Sequence, residues 1–359
     1  MPVSHSPLFA SSPTWAAMLA DPSGPAAGAK LDFDENAPYP WQQNRAERQA
    51  MEEKWSQLFP PSKYGYERAE RKVTMRDGEE ITVMVYQPSD RRPEEKLLPL
   101  VFNTHGGGWY QGSTLTEEIF LMRVIMSAFR FVIVSPEYRL APERPFPGPL
   151  DDCMDTYLWA LRSSDELGFD RREVLLAASS AGGSLTAAIA AWMGKAMAGK
   201  DVGNEEARKY GFGTETRIRG VILNVPIVCH PRFFPTDGFE ITSYKEATAG
   251  TTLLCSEEMY KIWDLYAPST GQYSGANVAM SPLLDDLSDF PPCKLYVAGQ
   301  DPVRDEAVAF AEKLKKSGRE VDLIMYPGVP HVFAAFDDLH ETKQFWRDCQ
   351  NGIRALMGS

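Results

Sequence analysis

The sequence predicts an α/β fold in which a mainly parallel sheet carries helices on both faces. Two observations predict it. From about residue 70 onward, short strand-like runs alternate with helix-periodic segments, the pattern of strands joined by crossover helices. Several of the runs, such as "FRFVIVSPEY" and "EVLLAAS", are almost continuously apolar, which suits strands covered on two sides. With 359 residues, 43% of them hydrophobic, and eight tryptophans, the chain can build one large core with further elements laid against it.

Each element has its own warrant. The first 60 or so residues are rich in Pro, Ala and Ser and turn helical at "WQQNRAERQAMEEKWSQLF", where Trp41, Ala46, Met51, Trp55 and Leu58 fall near helical spacing. This stretch reads as an appendage laid on the rest of the chain. "RKVTM" and "EEITVMVYQP" read as strands joined by a turn at Asp77-Gly78, a strong hairpin signal. "LLPLVFNTH" and "FRFVIVSPEY" follow as strands, "GPLDDCMDTYLWALRSS" as a helix, "EVLLAAS" as a strand and "AGGSLTAAIAAWMGKAMAG" as an Ala-rich helix. After the strand "RGVILNVPIV" comes a mixed region, about 230–280, containing the amphipathic "SEEMYKIWDLY". The chain closes with the strand "CKLYVAGQ", the helix "EAVAFAEKLKKSG", the strand "VDLIMYPG" and the helix "ETKQFWRDCQNGIRALM".

Composition narrows the function. There are 37 basic and 49 acidic residues, a net charge of -12, and no Lys/Arg block, so nothing matches a phosphate backbone and nucleic acid is excluded as a partner. The amino terminus lacks the basic and apolar regions of a signal peptide, and no run reaches the roughly 18 apolar residues of a membrane span. The five cysteines are scattered and form no C-x-x-C pair, which predicts reduced thiols, no metal site and a cytoplasmic location.

In sheets of this kind ligands sit outside the carboxyl ends of the strands, and the chemistry-bearing residues are sought there. "VLLAASSAGGSL" lies at a strand-to-helix switch with two adjacent serines. A nucleophile held on a sharp turn needs small neighbours two residues either side; around Ser179 these are Ala177 and Ala181, around Ser180 Ala178 and Gly182. Glycine best admits a close backbone approach and a positive φ, which favours Ser180. The alternative is a helix cap and its neighbour, since serine is a preferred capping residue, and this pattern alone does not choose.

Other segments bear on the choice. In "NTHGGGWYQGS" the glycines Gly106, Gly107 and Gly108 follow a strand and can turn backbone N–H groups toward a common point, where an oxyanion would be held. His105 reads as an anchor for that loop. Of the five histidines, His331 in "YPGVPHVFAAF" follows a strand on a short Pro/Gly loop, the position for a base. Asp301 in "VAGQDPVRDEAV" leaves a neighbouring strand and could orient that base; its competing reading is a helix cap. The order Ser180, Asp301, His331 is that of α/β-hydrolases.

With these motifs the sequence resembles the hormone-sensitive-lipase-like family of α/β-hydrolase serine esterases. The match rests on "HGGGW", "YRLAPE", "SAGG", "DPVRDE" and "HVF", running from about residue 70 to 355. The resemblance implies an eight-stranded core over 66–359, a helical cap built from residues 1–65 and an insertion at about 230–280, and catalytic roles for Ser180, Asp301 and His331. It implies oxyanion donors at Gly107 and Gly108, supported by Gly106, and at the N–H of Ala181. Arg139 and Glu143 would be scaffold for the adjacent loop. One position departs: where the family usually has an acid before the nucleophile, this chain has Ser179.

The implied reaction is cleavage of carboxylic or thioesters of small to medium apolar substrates through an acyl-enzyme, without metal or organic cofactor. Trp109 and Tyr110, beside the glycine loop, are the expected substrate-binding residues. Relatives in fungal natural-product pathways make specialised metabolism one expected setting, and a homodimer is among the allowed assemblies. Two other readings stay open: a non-hydrolytic acyltransferase, cyclase or lyase on the same fold, and a ligand-binding receptor like the gibberellin receptors, which lack the histidine that His331 supplies here.

Overall fold

The computed structural model describes residues 5–24, 26, 33–92, 95, 97–200, 202, 215–235, 239, 241–268 and 271–358. Its strands are β1 Tyr66–Thr74, β2 Glu80–Pro88, β3 Leu98–Thr104, β4 Val132–Pro136, β5 Phe169–Ser179, β6 Ile218–Asn224, β7 Cys293–Gln300 and β8 Val321–Pro330. They form one eight-stranded sheet in the order β1-β2-β4-β3-β5-β6-β7-β8. β2 runs antiparallel to β1 and β4, and the remaining pairs are parallel. All eight strand segments expected from the sequence are therefore present.

β1 begins at Tyr66 rather than at Arg71 because "YERAE" continues the ladder along β2, from Tyr66 opposite Pro88 to Glu70 opposite Met84. An edge strand exposed along most of its length has no apolar alternation to betray it. The interior strands behave otherwise. Leu100, Phe102, Val132, Val134, Val174 and Leu176 point to one face of the sheet, and Val101, Ile133, Leu175 and Ala177 to the other, so period-two packing buries both faces.

The longer helices are α1 Pro13–Ala20, α2 Trp41–Leu58, α3 Thr114–Phe120, α4 Gly148–Arg162, α5 Ser180–Met197, α6 Ser256–Tyr266, α7 Arg304–Lys316 and α8 His340–Met357. α4, α5, α6 and α7 supply one core with Tyr157, Ile189, Trp263 and Phe310. α1 and α8 supply the other with Trp15, Phe345 and Ile353.

Two helices were not foreseen. α1 is capped by Ser12, whose Oγ accepts from Trp15 N at 3.2 Å, and the segment before it is tied down by Gln300, which donates to the Phe9 carbonyl at 2.9 Å. The amino-terminal segment is thus docked on the sheet edge. α3 starts at a capping box formed by Ser113 and Thr116 and runs on as a π-helical turn, Leu121–Met126. Leu121, Met122, Val124, Ile125 and Met126 are all buried, and so are Thr114, Glu117 and Glu118, so polar and apolar residues alike face inward and no amphipathic period marks the helix.

Of the segments expected to build a cap, residues 1–4, 25 and 27–32 of the first and 236–238, 240, 269 and 270 of the second lie outside the described residues. No helix among the described residues is long and apolar enough to cross a membrane. All five cysteines are buried and unpaired.

Candidate active site

β5 ends at Ser179 and α5 begins at Ser180, so strand passes directly into helix. Ser180 has φ 53°, a left-handed conformation that costs a non-glycine residue about 1–3 kcal/mol and lifts its side chain off the sheet edge. A Cβ at Gly182 would stand 2.2 Å from the Thr104 carbonyl oxygen and 2.5 Å from that of His105. The sequence reading gave Gly182 both roles, space and positive φ; the structure divides them, with Gly182 supplying the space and Ser180 the strained backbone.

His331 follows β8 directly and Asp301 follows β7. His331 Nδ1 lies 2.7 Å from Asp301 Oδ2, and His331 Nε2 lies 2.8 Å from Ser180 Oγ. Asp301 is fully buried, and its Oδ1 accepts from Val303 N at 3.0 Å. The capping alternative for Asp301 is met only in part, since α7 begins at Arg304 and Oδ1 closes the turn before it. Three side chains from separate strand ends thus form one hydrogen-bonded line. Ser179 takes another direction, donating to Glu117 Oε2 at 3.0 Å.

The glycine loop passes beside this line. Gly107 has φ 117°, and a Cβ on it would stand 2.2 Å from the Gln111 carbonyl oxygen, so no other residue fits. The N–H groups of Gly107 and Gly108 have no acceptor among the described residues, and that of Ala181 lies in the first turn of α5, where helices leave donors unsatisfied. Gly106 differs from its neighbours. Its N–H donates to Glu117 Oε1 at 3.1 Å, so it does not serve as a further oxyanion donor.

His105 is buried and stacked on Tyr138 at 4.0 Å, and the Tyr138 hydroxyl donates to the His105 carbonyl at 2.8 Å. Burial lowers the His105 pKa, and the neutral ring holds the Gly106 carbonyl through Nδ1 at 2.8 Å. In "YRLAPE", Arg139 bonds Asp152 and Asp77, while Glu143 pairs with Arg45, which also donates to the carbonyls of Tyr110 and Ala141.

Trp109 and Tyr110 are corrected as substrate-binding residues. Trp109 is fully buried, stacked on Tyr266 at 4.2 Å with Nε1 donating to Ser184 Oγ at 3.1 Å. The Tyr110 hydroxyl is held by Tyr39 at 2.8 Å. Neither lines the cavity over Ser180, because the loop's left-handed turn carries them into the packing beneath α6.

That cavity has a volume of about 280 Å³. Its apolar walls include Trp55, Phe120, Met259, Ile262 and Trp346, with Glu117, Asn224 and Glu258 as polar members. Burial raises the pKa of both Glu117 and Glu258, and Glu258 accepts from the Tyr39 hydroxyl at 2.7 Å. The sequence marks out Trp55 and the amphipathic "SEEMYKIWDLY", which carries Glu258, Met259 and Ile262, as parts of the expected cap, whereas Glu117, Phe120, Asn224 and Trp346 were not singled out. The capping box at Ser113 was the available signal for Glu117, since it marks a helix beginning right after the glycine loop.

A family model described as alpha/beta hydrolase fold matches residues 101–335. The chain is 29% identical over 282 residues to versiconal hemiacetal acetate esterase of Dothistroma septosporum, covering 78% of this chain and 79% of that protein. It is 28% identical over 282 residues to carboxylesterase NlhH of Mycobacterium tuberculosis, covering 77% and 79%. Among solved structures, that of vibralactone cyclase superposes with a TM-score of 0.81 at 24% identity, over 100% of this chain and 98% of the other.

Proposed function

We propose how this chain, which belongs to the hormone-sensitive-lipase-like family of α/β-hydrolase-fold proteins and is a carboxylic ester hydrolase, performs its reaction: Ser180 is the nucleophile, His331 the base and Asp301 its orienting acid. The observation that carries the proposal is the line from Asp301 through His331 to Ser180, with contacts of 2.7 and 2.8 Å. Asp301 holds the proton of His331 on Nδ1, which leaves Nε2 free to accept the Ser180 proton as Oγ attacks the ester carbonyl. The N–H groups of Gly107, Gly108 and Ala181 take the oxyanion. His331 then returns the proton to the leaving alcohol, and water, activated by the same base, releases the acid. Such acid–base assistance is typically worth about 10²- to 10⁴-fold.

The substrates are carboxylic or thioesters of small to medium size with apolar acyl or alcohol parts. Apolar walls from Trp55, Ile262 and Trp346 around a cavity of about 280 Å³ support this. Residues 1–65 and about 230–280 act as a cap over the catalytic domain at 66–359, a division supported by Trp55 of α2 and Met259 of α6 reaching the cavity. A cytoplasmic site of action fits five unpaired, buried thiols. The similar protein of Dothistroma septosporum is by name an esterase for an acetate, an ester with a small acyl part, which is consistent with this substrate class; a setting in specialised metabolism belongs to the same proposal.

A series of p-nitrophenyl esters assayed with the parent protein and with Ser180→Ala tests the proposal. Turnover by the parent that vanishes in the variant supports it. Undiminished turnover in the variant refutes it, and acyl transfer or cyclisation without net hydrolysis would move the same residues to the non-hydrolytic reading.

A further inference from the structure

We infer that Glu117 is a positioning residue, whose carboxyl group ties the oxyanion loop to the nucleophile turn in place of the acid this chain lacks at position 179. The inference rests on the esterase reading of Ser180. One carboxyl group spans the gap: Oε1 accepts from Gly106 N at 3.1 Å and Oε2 accepts from Ser179 Oγ at 3.0 Å. Those two residues immediately precede the two sources of oxyanion donors, Gly107 and Gly108 on one side and Ser180-Ala181 on the other. This side chain therefore ties the two halves of the oxyanion hole together, in addition to the Thr104 hydroxyl's bond to the Gly182 carbonyl at 2.8 Å.

The surroundings make that tie stiff. Glu117 is buried, and Asn224, opposite Ser179 across the β5–β6 ladder, donates to the same serine oxygen at 3.4 Å. Its neighbour Glu118 points to the sheet, where Arg68 and the Tyr86 hydroxyl bind it at 2.6 and 2.9 Å, so α3 is held from both flanks. The start of α3 is braced in turn by Glu52 of α2, which accepts from Ser113 Oγ at 2.7 Å and from the Thr116 hydroxyl, and pairs with Arg48. Oxyanion donors contribute only if they stand where charge develops, so a loop that drifts loses kcat rather than substrate affinity.

Four variants test this: Glu117→Ala, Glu117→Gln, Ser179→Asp and the double variant Glu117→Gln/Ser179→Asp. Each is assayed for p-nitrophenyl butyrate hydrolysis and for the rate at which a fluorophosphonate labels Ser180, with thermal unfolding to confirm folding. Glu117→Ala should lower kcat by about tenfold to a hundredfold, short of the ~10²- to 10³-fold cost of deleting a donor. KM should stay within about threefold and labelling should slow in parallel. Glu117→Gln should retain most of the rate, because its oxygen still accepts from Gly106 and its amide donates to Ser179. Ser179→Asp sets two carboxylates against each other and should lower kcat by at least about tenfold, while the double variant recovers.

A kcat and labelling rate within about threefold of the parent for both Glu117→Ala and Ser179→Asp overturn the inference, as does a rise in KM at constant kcat, which marks a substrate contact. If Glu117→Ala does not fold, the Ser179→Asp pair decides alone. A parent protein that is labelled but hydrolyses no ester fails the esterase reading only, and the labelling rates still judge Glu117. A parent that is neither labelled nor active overturns both.

Discussion

Replacing Asp301 by asparagine removes a charge and reverses a proton. The two carboxyl oxygens have separate partners: Oδ1 accepts from Val303 N at 3.0 Å and Oδ2 faces His331 Nδ1 at 2.7 Å. Asparagine offers one acceptor. The Val303 N–H can only donate, and orphaning it in a buried site costs about 1–3 kcal/mol, so the asparagine oxygen stays there and its NH₂ turns to His331. A ring nitrogen facing a donor must accept, which moves the imidazole proton to Nε2, 2.8 Å from Ser180 Oγ. In that tautomer His331 has no lone pair for the serine proton. The expected loss in kcat is about 10³- to 10⁴-fold, or roughly 4–5.5 kcal/mol at 1.36 kcal/mol per decade. Steady-state kinetics on p-nitrophenyl butyrate, with unfolding measured in parallel, would show a fall in kcat at nearly constant KM in a folded protein. A kcat within tenfold of the parent would refute the assignment of Asp301 as the orienting acid.

Two further outcomes follow from the same structure. Burial pushes the Glu306 carboxyl well above its ordinary 4.5; Oε1 accepts from Val228 N and Cys229 N, while Oε2 has no partner among the described residues. A carboxyl raised in the folded state contributes stability fully below its unfolded pKa and loses it as pH rises, so Glu306→Gln should gain on the parent between pH 5 and 8. The gain is at most about 1.4 kcal/mol per pH unit, and a difference in urea unfolding that does not vary with pH counts against it. Trp109→Phe loses the bond to Ser184 and leaves a small void, which should cost about 2–3 kcal/mol of stability. Its preference across acetyl to octanoyl p-nitrophenyl esters should match the parent within about twofold, because the ring does not reach the cavity; a shifted preference would restore Trp109 as a substrate contact.

The sequence by itself was enough for the class of fold, the eight strand segments and the line from Asp301 through His331 to Ser180. Strands covered on both faces are written as apolar runs, and residues placed directly after parallel strands converge on one edge whatever the loops do. Local chemistry favoured Ser180 over Ser179, since only its flank offers a glycine where α5 meets the end of β3, but the reading as more than a helix cap needed the distant His331 and Asp301 that the structure brings into line with it. The tertiary structure alone decided the rest. Trp109 and Tyr110 adjoin the glycine loop in sequence, yet a left-handed backbone turns them into the core, and adjacency carries no direction. Glu117, Trp55 and Trp346 meet around the cavity from helices far apart in the chain, one of them a buried helix without amphipathic period. Periodicity reports which face of an element is covered; which other element covers it, and so what surrounds Ser180, is settled only when the whole chain has packed.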